Sequence, residues 1–211
     1  MIDSPAAVLY GRRGWLAKEC FDRIGAALLL LALSPVMALV ALIVRLTSSG
    51  PIVYRRRVVG LNGVEFDAFK FRTMVADADR ILALRIDLHD AYGENVKLRD
   101  DPRLTRAGRW LRKASLDELP QLLNVLRGEM SLVGPRMISP DERPKFGKAL
   151  ERRLSVKPGI TGLWQISGRQ ELDYVARIAL DLQYIEQGSL WLDLTILLKT
   201  IPAVLTMRGA Y

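Results

Sequence analysis

The chain has 211 residues, half of them hydrophobic, with 31 lysines and arginines against 23 acidic residues and a formal net charge of +8. That length holds one ordinary domain plus a membrane element, and the apolar content excludes a disordered chain. One cysteine (Cys20) and one histidine (His89) exclude an internal disulfide, Cys/His zinc sites and histidine-dependent triads.

Any catalysis must therefore rest on carboxylates, hydroxyls, lysine or arginine. A single cysteine also fits a reducing compartment, and a basic, hydrophobic chain points to nucleic acid or an anionic membrane surface as partner. Aromatic residues make up only 7% of the chain and offer few base-stacking platforms, so a nucleic-acid partner is not expected.

The first element is the apolar run ALLLLALSPVMALVALIV. No residue from Ile24 to Val44 is charged, a helical length of ~30 Å, about one hydrocarbon thickness. Pro35 removes a hydrogen bond to the Leu31 carbonyl and its ring clashes there, so a break is expected at Ser34-Pro35. Arg12, Arg13, Lys18 and Arg23 precede the run, and Arg45, Arg55, Arg56 and Arg57 follow it. A spanning helix carries its positive excess on the cytoplasmic side alone. Balanced flanks favour a re-entrant helix-break-helix with both ends on the cytoplasmic face. Trp15 suits an interface anchor.

A turn at Thr47-Ser48-Ser49-Gly50-Pro51 leads into two β-rich runs joined by Asn62-Gly63, a hairpin signal. In the second run Lys70 and Arg72 share one face, which composition alone assigns to solvent. A short helical pattern follows in ADADRILALRIDL, and His89 reads as a surface residue. Arg103, Arg106, Arg109 and Arg112 then recur every three residues, a basic stripe if helical. In SLDELPQLLNVLRG, Ser115 and Glu118 form a capping-box pattern and Leu119, Leu122, Leu123 and Leu126 an apolar face, with Gly128 as the stop. The glycines of SVKPGITGLWQISGR mark tight turns. Residues 174–186 are helical in pattern, and LWLDLTILLKTIPAVLTM is apolar but interrupted by Asp193, Lys199 and Pro202, which suits a membrane-surface or core helix.

Asp117 and Glu118 open a helix, where acids ordinarily complement the dipole. The turn-borne Arg136 and Arg169 and the nearby Arg112 add a second meaning: carboxylates, arginines and a helix start make a phosphate site. Such carboxylates hold Mg²⁺ together with substrate phosphates, or one of them acts as nucleophile in phosphoryl transfer. Neither GxGxxG nor GxxxxGK[ST] is present.

Five long motifs then carry a resemblance: Lys18…Asp22 ahead of the apolar run, Ser34-Pro35 inside it, FKFRTM, SLDELPQLLNVLRGEMSLVGPR and KPGITGLWQISGR. From about Lys18 to the C-terminus the chain resembles the monotopic phosphoglycosyl transferases, the bacterial sugar transferase family that starts polysaccharide and glycoconjugate assembly. The resemblance implies an α+β fold, mainly helical with a small β-hairpin. Residues 1–47 would form the re-entrant membrane helix, and 48–211 a catalytic domain on the cytoplasmic face of the bacterial inner membrane, with amphipathic interfacial helices.

It further implies transfer of a sugar 1-phosphate from a UDP-sugar to polyprenyl phosphate, with Mg²⁺. Asp117 matches the family's nucleophile and Glu118 its dyad partner, both also at the metal. Lys70, Arg112, Arg136, Gln165 and Arg169 match substrate- or phosphate-binding positions. The phospholipid membrane is a further partner, and a homodimer is the protein assembly considered. Direct transfer without a covalent step, and a non-enzymatic basic membrane scaffold, are the alternatives. Two positions depart from the family pattern. Glu19 stands where arginine is usual, which puts one headgroup or helix-anchoring contact in doubt, and Met137 replaces the proline of Gly-Pro-Arg-Pro, which is expected to loosen that turn.

Overall fold

The structure, a computed structural model, describes residues 5–84, 101–168 and 171–206. Helix α1 (Pro5–Thr47) leads into an antiparallel hairpin, β1 (Val53–Val59) and β2 (Glu65–Phe71), then α2 (Ala78–Leu84) and α3 (Arg106–Lys113). A 3₁₀ turn (Leu116–Gln121) continues into α4 (Leu122–Leu126) and β3 (Ser131–Val133). After α5 (Ala149–Arg153), strand β4 (Gly159–Thr161) pairs in parallel with β3, and α6 (Leu163–Ile166), α7 (Tyr174–Gln187) and α8 (Leu190–Leu205) close the fold. The expected hairpin is present: Asn62 takes φ 54° in the connecting turn, and Val59 pairs with Glu65.

The interruption expected at Ser34-Pro35 does not end the helix: α1 runs continuously through Pro35. The local chemistry gives a reason. Pro35 deprives the Leu31 carbonyl of its N–H partner, and the Ser34 hydroxyl donates to that carbonyl at 2.8 Å. Only 11% of the most apolar stretch of α1 is buried inside the protein, so this is not a core helix. Leu28, Leu31, Leu39 and Leu42 are each more than half exposed.

What α1 does bury lies at the two ends of the apolar run. Ala26 packs with Leu122, Leu132 and Ile185 in the main core, while Val40 and Val44 pack with Phe71 and Leu111 in a second cluster. The N-terminal end is also locked by charge. Lys18 Nζ lies 2.9 Å from both Asp22 Oδ1 and Asp193 Oδ2, and it donates to the Val133 carbonyl at 3.3 Å. Tyr184 Oη lies 2.7 Å from Asp193 Oδ1, so the network ties α1 to β3, α7 and α8. Glu19, the departure from the family pattern, pairs with Lys157 ahead of β4. The position thus makes an anchoring ion pair of its own, with the acid on the helix.

Two further expectations change. Arg72 is buried, donating to the Ser48 and Gly50 carbonyls beyond the end of α1, so the Lys70/Arg72 face is not solvated. The arginine stripe is also divided. Arg103 precedes α3 and forms a bidentate, buried pair with Asp101 at 2.8 and 2.7 Å, whereas Arg106 and Arg109 face solvent. His89 lies outside the described residues.

Candidate active site

The approach to the acidic pair is set by backbone geometry. Ser115 adopts φ 54°, a left-handed conformation, and turns the chain from α3 into the 3₁₀ segment carrying Asp117 and Glu118. The expected capping box is therefore absent. A cap residue needs extended backbone, and the Ser115 side chain makes no cap bond. Glu118 is engaged elsewhere: its Oε1 accepts from Lys70 Nζ at 2.7 Å and from Arg136 Nη2 at 2.9 Å. Asp117 beside it is 7% exposed. Gly128 ends α4 at φ 77°, as the spacing predicted.

Lys70 is held in place by a residue that pattern reading missed. Asn124, fully buried on α4, accepts from the Phe69 N–H at 3.0 Å and donates to the Asp67 carbonyl at 2.8 Å. Its amide thus occupies the free edge of β2 as a neighbouring strand would. The same Nδ2 also donates to Glu129 at 2.7 Å. Only the pairing distance of 55 residues hid this contact, since nothing local distinguishes Asn124 from a surface asparagine.

Arg136 stands on the loop after β3, where two backbones nearly touch. A Cβ on Gly159 would lie 2.1 Å from the Gly134 nitrogen, so this crossing requires glycine. The Gly159 N–H donates to the Pro135 carbonyl at 2.8 Å and fixes the loop. Met137 is 4% exposed within the main core, so replacing proline does not release the turn. Arg112 reaches the site from α3, its Nε donating to Thr73 Oγ1 at 2.9 Å. Gln165 donates to the Ile160 carbonyl at 3.0 Å from α6.

Lys70, Arg112, Asp117, Glu118, Arg136 and Gln165 all line one cavity of about 2420 Å³. Arg169 lies outside the described residues. The cavity is well above the roughly 300–1,000 Å³ of a site for one small ligand, so it has room for two. Its three cations against two carboxylates leave a formal positive surplus among these residues, which suits an anion.

The protonation states follow from the pairing. Burial opposes ionisation of Glu118, but Arg136 and Lys70 outweigh it and hold the carboxyl well below the usual range. Burial lowers Lys70 despite Glu118, while Glu118 raises Arg136. Burial also lowers Arg112. No group of three or more His, Cys, Asp or Glu side chains suited to a metal occurs among the described residues.

Comparison with known proteins decides the family. Residues 13–207 match the family described as bacterial sugar transferase. The chain belongs to the bacterial sugar transferase family. It is 48% identical over 202 residues to the exopolysaccharide production protein ExoY of Sinorhizobium fredii, covering 94% of this chain and 89% of that protein. It is 43% identical to the undecaprenyl-phosphate galactose phosphotransferase of Salmonella typhimurium, over 92% of this chain and 41% of that one. Identity to the undecaprenyl-phosphate glucose phosphotransferase of Komagataeibacter xylinus is 45%, over 93% and 37%. A chain of this family is an enzyme, a transferase of sugar phosphates, and its cavity is to be read accordingly.

Proposed function

We propose that this sugar transferase moves a sugar 1-phosphate from a UDP-sugar to polyprenyl phosphate, giving polyprenyl-diphosphate-sugar and UMP. The observation that carries the reading is the meeting of Asp117 and Glu118 with Lys70, Arg112 and Arg136 in one cavity. In the first step an Asp117 carboxylate oxygen attacks the β-phosphorus. The bond to the UMP oxygen breaks, UMP leaves with the electron pair, and a phosphosugar-aspartyl enzyme remains. In the second step a phosphate oxygen of the lipid acceptor attacks the same phosphorus, and the bond to Asp117 breaks.

Glu118 stays ionised between its two cations and acts on Asp117 as an electrostatic and orienting neighbour. Lys70, Arg112, Arg136, Gln165 and Arg169 bind substrate, the cations offsetting charge at the phosphates. Asp117 and Glu118 supply hard oxygen donors and are the residues that would hold Mg²⁺, which keeps few protein ligands when substrate phosphates complete its shell. Bound there, the ion would neutralise phosphate charge.

The membrane arrangement belongs to the same proposal. Both ends of the apolar run of α1 pack on one globular body, which supports a re-entrant helix rather than a span. The exposed apolar face of α8, with Trp191, Leu194, Leu198 and Ile201, supports an interfacial helix. The enzyme would thus sit on the cytoplasmic face of the bacterial inner membrane. Purified protein in lipid nanodiscs should release UMP from a UDP-sugar when polyprenyl phosphate and Mg²⁺ are supplied. Persistence of that release in Asp117→Asn would overturn the assignment.

A further inference from the structure

Of the three cations that line the cavity with the acidic pair, two are already engaged. Lys70 and Arg136 donate to the same Glu118 oxygen, at 2.7 and 2.9 Å. Arg112 is held differently. Its Nε donates to Thr73 Oγ1 at 2.9 Å, and neither Nη group has a hydrogen-bond partner among the described residues. A guanidinium fixed by its single Nε–H keeps both Nη groups as a planar fork, which fits two oxygens of a phosphate. Arg112 and Asp117 line the same cavity.

Thr73 is itself fixed by its backbone. It is 5% exposed and follows the end of β2. Its carbonyl accepts from the Thr105 N–H at 3.0 Å, and Thr105 caps α3, its Oγ1 accepting from the Gly108 N–H at 2.8 Å. A Cβ on Gly108 would lie 1.9 Å from the Thr73 carbonyl oxygen, so α3 meets this residue backbone to backbone. The Thr73 main chain thus seats the start of α3, and its hydroxyl holds Arg112 near the other end of that helix.

We infer that Thr73 is a positioning residue, whose hydroxyl holds Arg112 by Nε and leaves the two Nη groups as a fork for phosphate. This rests on the proposed transfer reaction and adds to it a division of labour. Lys70 and Arg136 are shared with Glu118, whereas Arg112 is given over to substrate. The phosphate is that of the donor diphosphate or of the lipid acceptor, which present the same oxygens to a guanidinium.

The test uses the full chain in nanodiscs. Thr73→Val removes the hydroxyl and leaves the main-chain contacts of α3, Thr73→Ser keeps the hydroxyl, and Arg112→Met removes the guanidinium. The Thr73→Val/Arg112→Met double variant completes a cycle. Binding of UDP without lipid acceptor reports the donor phosphates. KM for polyprenyl phosphate at saturating UDP-sugar reports the acceptor phosphate.

Thr73→Val should weaken one of these two measures on the order of tenfold, and Thr73→Ser should restore it. In the Arg112→Met background Thr73→Val should add no further loss, because the hydroxyl then has no guanidinium to hold. A change in UDP binding assigns the fork to the donor, and a change in KM assigns it to the acceptor. No change in either measure, or Thr73→Ser as weak as Thr73→Val, would overturn the inference. So would a full Thr73→Val loss in the Arg112→Met background, the result a merely structural role would give. Wild-type protein that binds UDP but transfers no sugar phosphate would instead remove the proposed reaction. UDP binding by the variants would then still decide the fork.

Discussion

Two buried charge clusters converge on Arg136, and they are built differently. In the first, Glu118 receives short bonds from Lys70 and from the Arg136 guanidinium, at 2.7 and 2.9 Å. In the second, Asp181 accepts from the Arg136 backbone N–H and faces Arg153 at 3.6 Å, an ion pair too long for a hydrogen bond. Asp181 Oδ1, Arg153 Nε and Nη2, and Tyr174 Oη have no hydrogen-bond partner among the described residues.

Burial acts on both carboxylates, yet Glu118 is held well below the usual range whereas burial pushes Asp181 up to about 6 and the Tyr174 phenol up to about 12. The number of short charge-assisted bonds decides which way a buried carboxylate titrates. The first cluster keeps its carboxylate charged. The second sits close to neutralisation and supports the loop that presents Arg136.

The largest break in this contrast comes from Arg136→Met, which removes one of the two cations on Glu118. Transfer should fall on the order of a hundredfold. Denaturant unfolding should show a loss of about 3 kcal/mol, because Glu118 keeps a buried charge with one partner fewer. Near-wild-type activity would show that Arg136 serves the loop rather than the substrate.

A smaller effect separates the clusters by pH. Asp181 binds a proton more tightly in the folded chain than in the unfolded one. Its ionisation therefore costs stability above about pH 6, and that cost is relieved as pH falls from 7 toward 4. Between pH 7 and 5 the gain is about 1 kcal/mol, and Asp181→Asn should remove that gain from thermal unfolding measured across the range. Glu118 has the opposite sign. Its contribution is complete above the ordinary carboxylate range and is lost only as pH falls through its depressed value, so it should not contribute over the same window.

The smallest effect is expected at Gln121, fully buried, with neither side-chain amide atom hydrogen-bonded among the described residues. Gln121→Met removes an unsatisfied amide at similar volume, so stability should stay within about 1 kcal/mol of wild type or rise. A large loss would show that the amide has a role the folded chain alone does not display.

Much of the framework was legible in local pattern. Asn62-Gly63 marked the hairpin, Gly128 the end of α4, and the periodicity of residues 174–186 the helix α7, because each depends on neighbours within one turn of chain. The meeting of Asp117 and Glu118 with Arg112 and Arg136 was readable from the residues as a phosphate site, whereas the place of Lys70 and Gln165 in the same cavity followed from motif resemblance. What stayed hidden depends on partners far along the chain. Asn124 reads as a helix-surface amide until β2 lies beside it, and Lys18 as a flanking positive charge until Asp193 closes on it at 2.9 Å. The capping box at Ser115 and Glu118 was a sound local inference that lost to tertiary contacts, since two cations bind Glu118 more strongly than a helix end would.

The most direct measurement is intact-protein mass after exposure to a panel of UDP-sugars with Mg²⁺ and without lipid acceptor, with Asp117→Asn beside the wild type. A gain of one phosphosugar, released by polyprenyl phosphate and absent from Asp117→Asn, is the predicted result and names the preferred donor. Lipid-linked product formed by wild-type protein that never carries the added mass would contradict the covalent role of Asp117.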